Sequence, residues 1–124
     1  MNVEIEYLVE LVGEEPYTRG DYSKKQRNLT LKLKEILEKF GCKEAYDVLK
    51  TSRGFTPSDQ LLRYSSKAFK RILDSIIAVV KSYQSLSPTE EHQLKKEILL
   101  AVAEVKYGPE VARRLEEEAL RYAK

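Results

Sequence analysis

Arg63, Lys67, Lys70 and Arg71 stand at i, i+4, i+7 and i+8, a spacing that sets four cationic side chains on one side of a helix. Cations spaced this way can follow a phosphate backbone without reading bases, because phosphate contacts fix register and carry no sequence information. Lys50 and Arg53 add charge just ahead of them, and upstream Arg19, Tyr22, Lys24, Lys25 and Arg27 make a basic stretch with aromatics interleaved, suited to phosphates and to stacking on exposed bases. Tyr64 flanks the stripe, where its ring can stack and its hydroxyl stay wet; half-buried packing is the plainer reading of such a ring.

Every helix needs a polar face, so a solvated surface is the competing reading of these cations. The distribution of charge favours a binding surface. Residues 1–16 hold five Glu and no base, residues 17–81 hold 15 Lys or Arg against 7 acids, and residues 82–124 hold 7 against 8. An excess confined to the middle of the chain attracts an anionic partner, whereas stabilising ion-pair networks intersperse both signs as the last segment does.

Other chemistries lack their residues. A metal site needs several close Cys, His or carboxylate ligands, and Cys42 and His92 are the only Cys and His, with two predicted helices between them. Cys42 reads as a small residue after a helix end and His92 as a solvated first-turn residue. No nucleophile elbow and no glycine-rich phosphate loop occurs, the five Gly being scattered singly. Glu14-Glu15, Glu90-Glu91 and Glu116-Glu117-Glu118 read as solvated helix ends and faces rather than acid–base pairs. The sequence therefore predicts no enzyme, no metal and no cofactor.

The elements that must position the cations are helical throughout. Ile5, Leu8, Val9 and Val12 mark a first helix, with Asn2 as cap and Gly13 as stop. A Pro- and Gly-containing loop follows, then a helix from Asp21 to Phe40 ended by Gly41, and a short one around Ala45, Val48 and Leu49. Thr56, Pro57 and Asp59 open a long helix whose inner stripe is predicted as Leu61, Ser65, Ala68, Phe69, Ile72, Ile76, Val79, Val80 and Tyr83. Ser87-Pro88-Thr89-Glu90 opens the next, with Leu94, Ile98, Ala101, Val102 and Val105 inward. Tyr107-Gly108-Pro109 breaks it before a last helix carrying Val111, Leu115, Ala119 and Tyr122. No alternating segment competes as a strand, so the fold class is all-α, a five- to six-helix bundle forming one domain over 1–124.

With 42% hydrophobic and 34% charged residues, the composition is that of a globular domain. The longest apolar run, Ile76 to Val80, is far short of the ~20 residues that span a bilayer. The acidic amino terminus lacks the character of a signal peptide and a single Cys precludes an internal disulfide, which together predict a cytoplasmic protein. Few Asn and Gln among abundant Glu, Lys and Arg suggest a thermophilic source.

On the basic set Arg63, Lys67, Lys70 and Arg71 and the capped helices opening at Thr56 and Ser87, the chain resembles the small subunits of CRISPR effector complexes, particularly the archaeal type I-A form. That resemblance implies a non-catalytic subunit, present in several copies beside other protein subunits, whose basic face steadies a nucleic-acid strand within a guide-RNA assembly. Helix-bundle nucleocapsid proteins of archaeal filamentous viruses also look similar, although their wrapping arms would be basic and this amino terminus is acidic. A protein–protein adaptor or inhibitor, docking through exposed Tyr and the acidic first helix, is the alternative from another class.

Overall fold

The computed structural model describes residues 3–122. Among them run seven helices and no strand: α1 (Val3–Val12), α2 (Tyr22–Lys39), α3 (Ala45–Val48), α4 (Pro57–Arg63), α5 (Ser66–Tyr83), α6 (Pro88–Tyr107) and α7 (Pro109–Tyr122). The all-α fold is as the sequence predicts, with more helices than the expected five or six. Asn2, the predicted cap of α1, lies outside the described residues.

Local chemistry sets most boundaries. Thr56 Oγ1 accepts from the Asp59 backbone N–H, with Pro57 at the first helical position. Ser87 and Glu90 form a reciprocal capping box around Pro88. Gly41, with φ +74°, ends α2 in the left-handed region where a Cβ would clash.

The helices share one apolar core, and α6 runs through it against α1, α2, α4, α5 and α7. Leu94, Ile98, Leu99, Val102, Ala103 and Val105 are buried on several sides of α6, the pattern of a helix enclosed by neighbours rather than laid on a surface. Its charged residues fasten the shell around it. Lys32 reaches Glu104 at 3.2 Å and Lys39 reaches Glu97 at 3.0 Å, tying α2 to α6; Lys81 reaches Glu91 at 2.7 Å, tying α5 to it. The Lys81 contact, with Lys95 beside it, holds the Glu91 carboxyl below its ordinary range.

One predicted element divides. The long helix opening at Thr56 ends at Arg63, because Tyr64 and Ser65 are extended and Ser66 has φ +53°. The cause is non-local. The Ser66 N–H donates to Gly13 O at 2.7 Å and the Tyr17 N–H to Leu62 O at 2.8 Å, so the α1–α2 connection docks into the break. Gly13 is packed there against Phe69, whose Cδ2 lies 2.3 Å from where a Cβ would stand. The inner stripe changes accordingly. Phe69, Leu73, Ile76, Ile77 and Val80 are buried, Ser65 and Ala68 only partly, and Tyr83 is exposed. On α7 Ala112 and Ala119 are buried, while Tyr122, predicted inward, is exposed.

A non-glycine residue in the left-handed region carries about 1 kcal/mol of strain. Ser66→Gly is expected to raise stability by up to ~1 kcal/mol, and Ser66→Val, whose branched Cβ aggravates the clash, to lower it. Thermal unfolding checks both, at roughly 3–6 °C per kcal/mol for a domain of this size.

His92 is not the solvated residue that the sequence suggests. It is half-buried, with Nε2 2.9 Å from Oε1 of Glu4. Glu4, 4% exposed, also meets Lys96 Nζ at 3.1 Å, and Lys96 continues to Glu116 at 3.4 Å, so a charged chain joins α1, α6 and α7. At the other end of α1, the buried Lys106 donates to the backbone oxygens of Val12 and Glu15.

Candidate nucleic-acid interface

The break between α4 and α5 scatters the four-cation stripe. Arg63 belongs to α4, whereas Lys67, Lys70 and Arg71 are exposed residues of α5. This corrects the expectation that all four share one helix face. Lys67 and Lys70 instead line a groove whose other wall is α1 and the turn after it, with Glu6, Glu10 and Glu14. Those carboxylates offset the charge that would attract a phosphate.

Arg63 gains different neighbours. The loop of residues 13–21, the segment before α4 and the α4–α5 break border an open cleft of about 570 Å³ lined by Tyr17, Tyr22, Phe55 and Tyr64 together with Arg19 and Arg63. The Arg63 guanidinium carbon lies 4.9 Å from the centroid of Phe55 and 5.3 Å from that of Tyr22, within cation–π range of both rings. Tyr17 and Tyr22 are 6.5 Å apart, centroid to centroid. Tyr64 is 40% exposed at the rim.

Two acids fix these rings. Tyr22 donates to Asp59 Oδ1 at 2.9 Å, and burial together with this bond pushes its phenol up to about 12. Tyr17 donates to Asp21, which raises the phenol and lowers the carboxyl. With Asp21 and Asp59 set against Arg19 and Arg63, the cleft is nearly neutral. It is an aromatic slot with two guanidinium edges, the kind of surface on which any base stacks because every base has a π-face.

Across the α2–α4 contact lies a second pocket, about 360 Å³, lined by Gln26, Arg27, Thr30, Leu31, Lys34, Tyr46, Lys50 and Thr56. Its floor is a hydrogen-bonded hub. Ser58, fully buried, has its Oγ 2.6 Å from Thr30 Oγ1, 2.9 Å from Thr56 Oγ1, 3.1 Å from the Tyr46 hydroxyl and 2.9 Å from Gln26 Nε2. Thr30 gives its own proton to Gln26 O at 2.9 Å, so the Ser58 hydroxyl donates to Thr30 and accepts from the Gln26 amide, while Tyr46 donates to Thr30 and Thr56 to Asp59 Oδ2. No carboxylate lines this pocket.

No family model, curated protein or solved structure matches this chain. Among the described residues no cluster of His, Cys, Asp and Glu could hold a metal ion, and no helix is long and apolar enough to cross a membrane.

The nucleic-acid candidates fall into groups. Tyr64 and Arg63 meet in the aromatic cleft, Arg27 and Lys50 in the cationic pocket. Arg53 is exposed in the turn before α4, Lys24 is exposed on α2, and Lys25 lines a separate groove with Lys32, Glu35 and Glu104. Three contributors were missed. Tyr17 sits in a loop without periodicity and left no signal. Phe55 stands just before the Thr56 cap, the position of a hydrophobic staple. Lys34 follows Arg27 by seven residues on α2, two helical turns along the same face.

Proposed function

We propose that this protein binds single-stranded nucleic acid in a sequence-tolerant way, without catalysing a reaction, along the edge formed by α2, α4 and the loop before α2. The observation that carries this reading is the cleft lined by Tyr17, Tyr22, Phe55 and Tyr64 together with Arg19 and Arg63. Aromatic slots edged by guanidinium groups take unpaired bases by stacking, at about 1–3 kcal/mol per base, while nearby cations follow the phosphates. Arg27, Lys34, Lys50 and Arg53 lie on the same edge or the turn beside it.

Membership of a multi-subunit ribonucleoprotein assembly of the CRISPR effector type, with copies of this chain and other proteins as neighbours, belongs to the same proposal. Of the features behind that resemblance, the capped helices opening at Thr56 and Ser87 are present and the four-cation stripe is divided.

Arg63→Glu combined with Tyr64→Ala is expected to weaken binding of a fluorescent single-stranded oligonucleotide about 10- to 100-fold while the variant stays folded, since both residues lie at the rim, the Arg63 side chain 49% and Tyr64 40% exposed. Lys67→Glu, facing the acidic wall of α1, should have a much smaller effect. Affinity should fall steeply across a salt series, with little difference between sequences. Equal affinity of wild type and the double variant, or no binding of single- or double-stranded DNA or RNA at low salt, would discard the reading. A stoichiometric protein partner recovered without nucleic acid would favour an adaptor instead.

A further inference from the structure

We propose that the pocket walled by Arg27, Lys34 and Lys50 is a binding site for a phosphate monoester, the terminal phosphate of a strand or of a nucleotide. This deepens the nucleic-acid reading and takes the ligand's identity from it, while the site itself stands on its own geometry. Three cations border the pocket and no carboxylate lines it. The nearest compensation is Asp47, 3.3 Å from Lys50, with both side chains largely exposed. Neither Arg27 nor Lys34 forms an ion pair with a described residue, and the Lys34 ammonium rests 5.1 Å from the Tyr46 ring centroid.

Three cations against one carboxylate leave an excess of two, which matches a dianionic monoester better than the single charge of a backbone diester. The groups also suit the task. A guanidinium grips two phosphate oxygens at once and an ammonium acts as a mobile point charge. Beneath them the Ser58 hub fixes Thr30, Tyr46, Gln26 and Thr56 in place, so the wall needs little ordering when an anion arrives. Eight residues of α2, about 12 Å of helix, separate Tyr22 in the aromatic cleft from Thr30 here. A strand whose end is anchored in this pocket can therefore lay its next bases toward the stacking slot.

The test uses the full chain and begins with inorganic phosphate followed by nuclear magnetic resonance. Saturable shifts of the Gln26 side-chain amide and of the Thr30 and Tyr46 backbone amides are expected, and Arg27→Ala with Lys34→Ala abolishes them without changing the melting temperature. Oligothymidylates bearing a 5′- or 3′-phosphate should then bind about tenfold more tightly than the same strand with hydroxyl ends, a preference that the double variant loses. A nucleoside monophosphate binding as tightly as the phosphorylated strand would assign the site to free nucleotides; much weaker binding assigns it to strand ends. Shifts that do not saturate, or equal affinity for phosphorylated and unphosphorylated ends, overturn the proposal. Loss of strand binding on changing Arg63 and Tyr64, with no phosphate response, would overturn this site alone, whereas a phosphate response without any strand binding would overturn the nucleic-acid reading alone.

Discussion

Glu4→Ala is expected to destabilise the protein by about 3 kcal/mol, lowering the urea midpoint without changing the slope of the transition. Glu4 is 4% exposed, and its two oxygens meet His92 Nε2 at 2.9 Å and Lys96 Nζ at 3.1 Å. Deleting the carboxylate leaves the Lys96 ammonium, whose side chain is 14% exposed, with Glu116 at 3.4 Å as its remaining carboxylate. A buried charge stripped of its partner costs far more than the pair was worth.

The direction of the Lys96 shift shows what the pair does. Burial pulls its ammonium down, but the bond and charge of Glu4, with Glu116 behind them, outweigh burial and raise it above 10.5. A base raised on folding contributes stability that is fully present below its unfolded value and is lost as pH climbs through the folded one. Glu4→Gln, which keeps the shape and drops the charge, should fall between wild type and Glu4→Ala. Adding Lys96→Met to Glu4→Ala should recover part of the loss, because the buried ammonium left with Glu116 alone is then gone. A Glu4→Ala midpoint equal to that of wild type would show that the chain from His92 to Glu116 contributes nothing.

Neither end of this chain is visible in the sequence. Glu4 reads as one of five acids in an acidic segment and His92 as a first-turn residue, and only the packing of α1 across α6 brings them together. By contrast, the starts of α4 and α6 and the break at Gly108-Pro109 were legible, because capping hydroxyls, prolines at the first helical position and glycine stops act within four residues. The division of α4 from α5 was not. Its residues keep helical periodicity, and the interruption is imposed from a distance by Gly13 O and by the Tyr17–Leu62 hydrogen bond. The Ser65-Ser66 pair was the one local hint, since serine hydroxyls compete with helical backbone hydrogen bonds.

The candidate interface was half legible for the same reason. Charge excess pointed to the middle of the chain and named Arg63, Tyr64, Arg27 and Lys50, which line the two clefts, but helical spacing joined Arg63 to Lys67, Lys70 and Arg71, from which the break separates it. What it gains instead, Tyr22 and Phe55, comes from two other segments. A spacing argument holds only while the helix runs on, and it fails where a distant chain intrudes.

Lys106→Met is expected to cost about 2 kcal/mol near neutral pH and to alter the shape of the stability profile in alkali. Lys106 is 6% exposed and donates to Val12 O at 2.7 Å and to Glu15 O, closing the carbonyl end of α1 from the neighbouring helix. Methionine fills the space but leaves those oxygens short of a donor, with the Tyr107 hydroxyl at 3.4 Å from Val12 O as a weak substitute. Burial lowers the Lys106 ammonium from 10.5 to about 8, against the opposing pull of Glu15 and Glu14. Between those values the unfolded chain binds the proton more tightly than the folded one, so stability rises with pH from about 8. Above 10 the tyrosines act the other way. Tyr7, raised to about 12 by its bond to Glu118, and Tyr22, raised to about 12 by burial and Asp59, keep protons that the unfolded chain releases, so stability falls. The wild-type melting temperature should therefore climb from pH 8 to 10 and then drop, while Lys106→Met shows only the drop. Parallel profiles for the two proteins would mean that the amine carries no strain of burial and that α1 is closed by other groups.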